Sequence, residues 1–594
     1  MSDEIPAWEQ RFRAPRVSFP HWARDAPERL ALASNESGAW QVYAWDRATG
    51  ARRQVTDDPI GVADGAVTPD GNGVVWFHDS TGDEVGRWMI EPFDGGEQRP
   101  LVQGVPDAWT TGLALATDGT IVAGTADDEG YSVYVSIEDV PARLLHHHEE
   151  VVEVGGISRD SALVTIQHAE HGDNIHLAVR VLDVGTGKTV GEQWDGPGLG
   201  LSVAAWSPVA GDQRLALVHE REGHDRPAVW DVATGARRDL SLELPGDVSV
   251  AGWWPDASAL LLVHEHEGRD QLFRYVIDTG DLSPVDHPPG SISGAAVRPD
   301  GELWFQITSG AIPPTVLSTA GDVVCAANGA PAPGGVPFES WHFTNEAGNQ
   351  LHGFLALPAT WSRPFPTVML VHGGPTWAYT DSFMSDVQAW VDYGFAVAMV
   401  NYRGSTGYGV AFRDALIGDP GFPEVADVIA GLDDLVAQGI ADPARAVISG
   451  GSWGGYITLL ALGRAPERWA AGVAAVPVAD YVTAYNDEAP ALQSFDRSLF
   501  GGSPEEVGAL YEERSPLTYV DDVRAPVLII AGDNDSRCPL QQVLNYVEAL
   551  EVRNKPVEVY RFDAGHGSMV IDERVKQMEV ELDFVLTKLQ LTPR

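Results

Sequence analysis

The first half of the chain repeats a short turn about every 45 residues. A Pro/Thr/Arg-Asp turn, usually followed by glycine, occurs at Asp70, Asp118, Asp160, Asp256 and Asp300, and Ser207-Pro208 lies midway in the one double gap. A second turn, Asp-x-x-Thr-Gly, begins at Asp46, Asp183 and Asp231 and is shortened at Asp278. Short alternating apolar segments separate these turns. Such a unit predicts a β-propeller of about seven four-stranded blades between residues 25 and 335, and a pair of β-sandwiches is the alternative.

The pattern changes after a Pro/Gly-rich joint at residues 331–335. Apolar strand-like runs occupy residues 367–371, 396–400, 446–449, 470–476, 527–531 and 557–562, and helical periodicity occupies 425–438, 540–551 and 573–591. This alternation predicts a mostly parallel sheet covered by helices. We therefore expect a β-propeller at 1–335, with a short N-terminal extension that packs on the second domain, and an α/β domain at 336–594.

The stretch GGSWGGY, residues 450–456, places one serine between pairs of glycines. It follows the strand-like run 446–449 and precedes a helical segment at 456–463. Gly450-x-Ser452-x-Gly454 in that context is typical of a nucleophile elbow, a turn so sharp that only glycine fits beside it. The motif alone has modest specificity, so its meaning depends on partners elsewhere in the chain.

Two such partners follow in the order expected of an α/β-hydrolase. Asp535 comes directly after the run 527–531, and His566 comes between two glycines directly after the run 557–562. Serine needs a base to remove its proton, and the base needs a third group to hold its tautomer. The sequence thus predicts Ser452 as nucleophile, His566 as base and Asp535 as the group that orients it.

A cradle for the oxyanion is predicted at His372-Gly373-Gly374-Pro375, which follows the run 367–371. The two donors would be the backbone N–H of Gly373 or Gly374, between which the sequence does not choose, and the N–H of Trp453. His372 itself is expected to shape this loop and to take no part as a base.

Five motifs together carry a family resemblance: HGGP, NYRGSTGYG (401–409), GGSWGGY, GDNDSRCP (532–539) and AGHG (564–567). Behind a propeller-like first half, they resemble the prolyl oligopeptidase family of serine peptidases, and within it most nearly the acylaminoacyl peptidase branch. The resemblance implies a propeller followed by an α/β-hydrolase domain. It also implies cleavage of short peptides, because the propeller keeps folded proteins from the serine, and it implies no cofactor.

The resemblance implies one substrate contact, and the position of Trp453 next to the serine suggests another. In the acylaminoacyl branch the arginine two residues beyond the catalytic aspartate lies near the substrate, which carries over to Arg537; a plain salt bridge is the alternative. Trp453 either walls the pocket for the residue before the cut bond or packs under the elbow helix. Dipeptidyl peptidases of the same family place an oxyanion tyrosine where this chain has His372, which argues against that activity.

The expected activity is therefore release of N-acylated amino acids or N-terminal residues from short peptides. An aminopeptidase or oligopeptidase of the same family and an esterase or amidase for small acyl compounds are alternatives. A binding protein with an inert hydrolase half is a further alternative, and the complete set of predicted catalytic residues argues against it.

The charge balance limits the partners of the chain. Its 85 acids and 39 bases give a net charge of -46, and lysine occurs only four times. A polyanion does not bind nucleic acid through phosphate contacts. We hypothesise a salt-rich host cytoplasm, with an acidic bacterial protein of ordinary habitat as the alternative. An acidic, proline-containing N-terminus and the lack of any long apolar run predict a cytoplasmic protein without membrane contact, and a homo-oligomer is possible.

Neither cysteines nor histidines suggest a further site in the sequence. Cys325 and Cys538 are far apart, which predicts reduced thiols, and Cys538 needs no catalytic role. His146-His147-His148 alternate across a strand and cannot all face one metal, and no other cluster has the ligand spacing of zinc. No metal is therefore predicted.

Overall fold

A computed structural model describes residues 5–137 and 140–591. The first half forms antiparallel sheets whose strands follow one another in sequence order. The first sheet contains β1 (His21–Trp22), β2 (Arg29–Ser34), β3 (Gln41–Asp46) and β4 (Ala51–Gln54). The second is eight-stranded, with β5 (Gly65–Val67), β6 (Gly73–Asp79), β7 (Val85–Pro92), β8 (Arg99–Pro100), β9 (Ala108–Leu115), β10 (Thr120–Asp127), β11 (Gly130–Ile137) and β12 (Arg143–His148).

Four more sheets of four strands complete this half, which we call the propeller half. They contain β13 (Val152–Ile157), β14 (Leu163–His168), β15 (Ala178–Asp183) and β16 (Thr189–Gln193); β17 (Leu201–Trp206), β18 (Arg214–His219), β19 (Arg226–Asp231) and β20 (Ala236–Asp239); β21 (Asp247–Trp253), β22 (Ala259–His266), β23 (Arg269–Val276) and β24 (Leu282–Pro284); and β25 (Ser291–Val297), β26 (Leu303–Ser309), β27 (Ile312–Ser318) and β28 (Val323–Cys325). The first and last sheets pack together, with the rings of Trp22 and Trp304 5.6 Å apart. The predicted propeller is confirmed, with five separate four-stranded sheets beside the eight-stranded one.

The repeated aspartates have one structural role. At each repeat an Asp Oδ1 accepts the backbone N–H two residues further on, at 3.0–3.2 Å, just before the second strand of the local meander. The six are Asp70, Asp118, Asp160, Asp212, Asp256 and Asp300. Asp212 belongs to the repeat that the sequence marked only by Ser207-Pro208. Because an aspartate that bonds the backbone two residues on stabilises a tight turn, the sequence period reflects turn chemistry.

The second half, here the hydrolase half, is built on one eight-stranded sheet. Its strands are β29 (Glu339–Thr344), β30 (Gln350–Ala356), β31 (Phe365–Val371), β32 (Ala396–Asn401), β33 (Ala441–Gly451), β34 (Ala471–Ala475), β35 (Val527–Gly532) and β36 (Val557–Phe562), in the spatial order β29-β30-β32-β31-β33-β34-β35-β36. β29 and β30 are antiparallel, whereas β32, β31 and β33 to β36 pair in parallel. The mostly parallel sheet expected from the sequence is present.

The helices of the chain are α1 (Ala7–Arg13), α2 (Ser385–Asp392), α3 (Val410–Arg413), α4 (Phe422–Ala437), α5 (Trp453–Arg464), α6 (Tyr481–Asp487), α7 (Pro490–Phe500), α8 (Pro504–Arg514), α9 (Leu540–Val552) and α10 (Ile571–Lys588). From the N-terminal α1, Trp8 and Phe12 enter the same hydrophobic cluster as Trp390 and Met578. Arg11 Nη1 lies 2.6 Å from Asp392 Oδ2. Helix α1 is thus held on the hydrolase half. No described helix combines the length and apolarity needed to cross a bilayer.

Candidate active site

Ser452 occupies the turn between β33 and α5 with a backbone that L residues rarely adopt, φ 56° and ψ -123°. Its backbone N–H donates to the Ala475 carbonyl at 2.9 Å, which ties the turn to the neighbouring strand β34. A Cβ on Gly450 or on Gly454 would collide with the Val371 carbonyl oxygen. Only glycine therefore allows β33 and α5 to approach β31 this closely, and the strained serine stands at the first turn of α5.

Asp535 and His566 lie together on the loops that leave β35 and β36. His566 Nδ1 is 2.9 Å from Asp535 Oδ2, and Asp535 Oδ1 accepts the N–H groups of Arg537 at 2.9 Å and Cys538 at 2.8 Å. The Asp535 side chain is 1% exposed and that of His566 16%. The carboxylate is thus fixed by two backbone donors and holds the imidazole. Among the described residues no hydrogen bond joins Ser452 to His566; in ligand-free enzymes such bonds often tighten only with substrate.

Cys538 is the residue at this site that sequence reasoning missed. Its thiol, one ring nitrogen of His566 and a carboxylate oxygen of Asp535 all lie within 4.8 Å of one another. Burial, followed by the negative charges of Asp535 and Glu488, raises the pKa of the Cys538 thiol well above its usual value, while the Ser452 hydroxyl acts weakly in the opposite direction. The thiol therefore stays protonated beside the serine. Its position three residues after Asp535 could have indicated this placement, because the turn at Asp535 brings Cys538 back towards the aspartate and His566.

The HGGP loop runs beside the serine. A Cβ built on Gly373 would lie 3.3 Å from Ser452 Cβ, so this glycine faces the elbow directly. His372 Nε2 is 2.8 Å from Ser405 Oγ, and its ring stacks on Tyr402 with centroids 4.1 Å apart. Burial lowers the pKa of His372 to about 4, so the ring is neutral and serves to shape the loop.

The Trp453 side chain lies in the hydrophobic core, which corresponds to the packing alternative. It is 5% exposed, contacts the Tyr456 ring with centroids 5.0 Å apart, and donates its indole N–H to Glu424 Oε1 at 3.2 Å. Its backbone N–H belongs to the first turn of α5, where N–H groups have no partner within the helix.

A cavity of about 480 Å³ lies between the two halves next to His566. Its lining combines propeller residues with Arg537, His566, Ser568 and Met569 of the hydrolase half; the propeller side chains include Ile60, Val62, Asp64, Phe77, Glu84 and Trp109. Arg537 makes a two-point ion pair with Glu84, with Nε 2.9 Å from Oε2 and Nη2 2.7 Å from Oε1. Arg537 therefore lies at the edge of the cavity, where its guanidinium forms an ion pair with Glu84 of the propeller half.

The propeller segment 79–84 touches the loops that carry Asp535 and His566. Asn534 Nδ2 donates to the Thr81 carbonyl at 2.9 Å, and a Cβ on Gly565 would collide with the Gly82 carbonyl oxygen. Asp79 holds this segment by accepting the N–H groups of Thr81, Gly82 and Glu84 at 2.7–3.0 Å. The loops that carry Asp535 and His566 are therefore packed against a rigid propeller turn.

Comparison with known proteins finds a matching family model and related sequences. The family model described as "Prolyl oligopeptidase family" matches residues 381–592. Dipeptidyl aminopeptidase BIII of Pseudoxanthomonas mexicana is 32% identical over 383 residues, 60% of this chain and 55% of that protein. The acylamino-acid-releasing enzyme of Homo sapiens is 31% identical over 223 residues, 37% of this chain and 30% of that protein. The alignments therefore span only about a third to a half of these relatives.

Solved structures resemble the whole chain. A puromycin hydrolase has a TM-score of 0.82 at 22% identity, covering 100% of this chain and 97% of its own. Acylaminoacyl peptidase from Pyrococcus horikoshii has a TM-score of 0.74 at 19% identity, covering 99% of this chain and 98% of its own. At these identities the likeness establishes the fold: a propeller followed by a hydrolase domain.

Proposed function

We propose that the chain is a member of the prolyl oligopeptidase family, whose model matches residues 381–592, and that it cuts short peptides through an acyl-enzyme and releases N-acylated amino acids or N-terminal residues. The observation that carries the proposal is the His566 imidazole, 2.9 Å from a carboxylate that two backbone donors fix, beside a strained serine elbow. This arrangement supports nucleophilic acyl transfer.

In the proposed mechanism Ser452 Oγ attacks the scissile carbonyl carbon while His566 Nε2 takes the hydroxyl proton. Asp535 keeps the other imidazole proton on Nδ1 and stabilises the imidazolium. The tetrahedral intermediate then collapses, His566 gives its proton to the leaving amine, and the acyl group remains on Ser452. Water repeats the sequence to release the acid and restore the serine.

The oxyanion of each tetrahedral intermediate is proposed to bind backbone donors. One is the N–H of Gly373 or Gly374 on the HGGP loop, and the Gly373 position favours this loop because it adjoins Ser452. The other is the N–H of Trp453 at the start of α5, which also carries the positive end of the helix dipole. Both act without a metal or cofactor.

The pairing of Glu84 with Arg537 favours a blocked amino terminus over a free one. Glu84 is the carboxylate nearest Arg537, and the two-point ion pair satisfies it, so it does not attract a substrate ammonium group. The apolar lining by Ile60, Val62, Phe77 and Trp109 suits an acyl cap. We therefore place N-acylated peptides first among the substrates.

Aminopeptidase activity is the second candidate, and one side chain favours it. Asp64 also lines the cavity and is exposed, so it offers a carboxylate for a free amine. The similarity to dipeptidyl aminopeptidase BIII, over 60% of this chain, points the same way.

We also propose that the propeller has seven blades and spans residues 1–335, with the hydrolase domain at 336–594. Strands β5 to β8 and β9 to β12 each form a meander of four, and in the described residues the strand pairing between the two meanders is limited to Val85–Trp109 and Gly86–Ala108. If the two meanders are counted as two blades, the 28 described strands of this half form seven blades of four strands each.

Hydrolysis of N-acetyl-Phe-p-nitroanilide and of Phe-p-nitroanilide by wild type and Ser452→Ala, in molar KCl, tests the function. We expect the blocked substrate to be cut faster and the variant to be inactive while unfolding like wild type. Faster cleavage of the free amine would establish the aminopeptidase. Rapid cleavage of p-nitrophenyl esters with no anilide cleavage would establish an esterase. Failure of a fluorophosphonate probe to label Ser452 would overturn the catalytic assignment.

A further inference from the structure

Glu267, His342 and His352 meet at the junction between the two halves. Glu267 is at the tip of the β22–β23 hairpin of the propeller, and His342 and His352 are directly opposite each other on β29 and β30. One ligand atom from each residue lies within 4.8 Å of the others. We propose that these three side chains bind a divalent transition metal ion of the zinc class, which joins the propeller to the edge of the hydrolase sheet.

His352 carries the strongest indication of a missing ligand. It is 3% exposed, its Nδ1 is 2.6 Å from Tyr408 Oη, and its buried Nε2 has no hydrogen-bond partner in the described part of the chain. A buried ring nitrogen without a partner is costly whether it is a donor or an acceptor. A metal ion at Nε2 removes that cost.

The surroundings of His352 fit the tautomer that a metal requires. Metal at Nε2 needs the ring proton on Nδ1, and Nδ1–H then donates to the Tyr408 oxygen. That oxygen accepts Asn401 Nδ2–H at 2.7 Å and retains a second lone pair. Asn401 is itself held in one orientation, since Oδ1 accepts Tyr379 N–H at 2.7 Å and Nδ2 donates to the Tyr379 carbonyl at 2.9 Å. An outer hydrogen-bond chain of this kind is usual for histidine ligands of metals.

The other two ligands are accessible and adjustable. His342 Nε2 is 2.9 Å from Glu267 Oε1, and the two side chains are 52% and 38% exposed. Ligands of a tetrahedral zinc ion stand about 3.4 Å apart, a separation that small side-chain rotations reach. Two imidazoles and one carboxylate are a donor set that zinc prefers, and water supplies the fourth ligand from the open side.

A second cluster of the same composition provides a contrast. His168, His171 and Glu192 also bring ligand atoms within 4.8 Å of one another. His168 Nε2 likewise has no hydrogen-bond partner among the described residues, but His168 Nδ1 accepts the Glu170 N–H at 3.3 Å, which places the ring proton on Nε2. The Arg180 guanidinium also contacts Glu192 Oε2 at 2.6 Å. A proton and a cation thus occupy the positions where a metal would bind. This cluster is the matched control.

The proposed ion would strengthen a contact that the hairpin already makes. Next to Glu267, Gly268 O accepts the Asp381 N–H at 2.8 Å, and Arg269 Nε is 3.0 Å from Asp381 Oδ2. An ion shared by Glu267 and the two histidines ties the same hairpin to β29 and β30. Metal binding therefore stabilises the docked arrangement of the two halves by mass action.

Zinc binding to the full chain tests the proposal. The metal-free protein is titrated with ZnCl₂ by calorimetry, and its melting temperature is measured with and without zinc. We expect one tight site and a rise of a few degrees in wild type and in His171→Gln. In His342→Gln and Glu267→Gln, whose altered side chains are half exposed and leave the fold intact, affinity should fall at least tenfold. Co²⁺ should give the visible bands of a four-coordinate ion in wild type and not in His342→Gln.

Three results would overturn the proposal: no zinc binding by wild type, equal affinity in His342→Gln, or loss of the tight site in His171→Gln. Zinc binding that disappears in Cys538→Ala but persists in His342→Gln would move the ion to Asp535, Cys538 and His566 and also reject the junction site. None of these readouts depends on peptidase activity, so the outcome is independent of the proposed function.

Discussion

Arg537 of the hydrolase half forms an ion pair with Glu84 of the propeller half through two nitrogen–oxygen contacts of 2.9 and 2.7 Å. The pair closes one side of the cavity beside His566. Glu84 has a positive φ of 65°, and its N–H donates to Asp79 Oδ2 at 2.7 Å, so its carboxylate is held in place from the propeller side. The charge that a substrate terminus meets is therefore set jointly by both halves.

Arg537→Ala should shift the substrate preference. Removing the guanidinium leaves the Glu84 carboxylate unpaired at the cavity, which attracts a free ammonium terminus. We expect the ratio of kcat/KM for Phe-p-nitroanilide over N-acetyl-Phe-p-nitroanilide to rise about tenfold, as expected for one partly solvated charge interaction. The double variant with Glu84→Gln should return the ratio towards wild type. Arg561→Ala, which removes an exposed partner of Asp533, is the control, and an equal shift there would contradict the argument.

Asp535→Asn should lower kcat by about 10⁴. The asparagine oxygen must remain with the N–H groups of Arg537 and Cys538, so its amide NH₂ faces His566 Nδ1. The imidazole then carries its proton on Nε2 and cannot accept one from Ser452. Asp533→Asn, two residues away and paired with Arg561 at 2.7 Å, should keep activity within a few-fold. Equal losses in both variants would indicate general damage to the loop.

Stability should depend on pH through His176. Its Nε2 lies 2.9 Å from Asp414 across the junction and its Nδ1 2.8 Å from Asp173. Burial alone would lower the pKa of His176, but hydrogen bonds to Asp173 and Asp414 outweigh it and raise the pKa to about 9. Because the folded-state pKa exceeds the unfolded value of about 6.5, this stabilisation is complete below pH 6.5 and is lost as pH rises through 9.

Urea unfolding of His176→Gln at pH 6 and pH 10 checks this dependence. At pH 6 the free energy of unfolding of wild type should exceed that of His176→Gln by about 2 kcal/mol, and this difference should be smaller at pH 10. His147→Gln, at an exposed position on β12, should match wild type at both values. A difference that stays constant with pH would show that His176 contributes by packing and not by charge.

Methylmercury should abolish the proposed peptidase activity through Cys538. Mercury on this thiol would lie next to His566 and Ser452 and block the approach of substrate. Wild type and Cys325→Ala should lose activity, whereas Cys538→Ala should remain active and resistant. Cys325 is the matched control because it is also a buried free cysteine, placed on β28 of the propeller. Equal sensitivity of Cys538→Ala would exclude this thiol as the target.

The melting temperature should rise between dilute buffer and molar KCl. A net charge of -46 makes the folded chain repel itself, and molar salt shortens the screening length to about 3 Å. Sucrose at the same osmolality favours burial without screening charge and should raise the melting temperature less. No rise in KCl beyond that in sucrose would contradict adaptation to a salt-rich cytoplasm.

Much of this architecture could be predicted because its signals are local. The strand-like run 557–562 coincides with β36, and the predicted helices at 425–438 and 540–551 differ from α4 and α9 by three residues or fewer at either end. The elbow, the aspartate and the histidine each follow a strand directly, so short motifs identify them. Helices α6 to α8 escaped prediction, and their positions depend on packing around Tyr481, Phe500 and Tyr511.

Contacts between the two halves could not be predicted from the sequence. Glu84 and Arg537 are 453 residues apart, and nothing near Glu84 marks it as a partner of the active-site region. His176 and Asp414 are 238 residues apart, and Glu267 and His342 are 75 apart. Such pairs form only when the two folded halves dock against each other. The identity of each side chain does not specify how the halves dock, so the pairs could not be predicted.

The aspartate turns of the propeller limit how far the acidity of this chain can be reduced. Six exposed or half-exposed turns have an aspartate oxygen bonded to the N–H two residues on. Asp46, Asp183 and Asp231 accept the N–H groups three residues on, from Thr49, Thr186 and Thr234, at 2.7–3.2 Å. Exchange of these acids for lysine would remove charge and the turn together. Asparagine keeps the oxygen, so at these nine sites an amide side chain can remove the charge and preserve the turn.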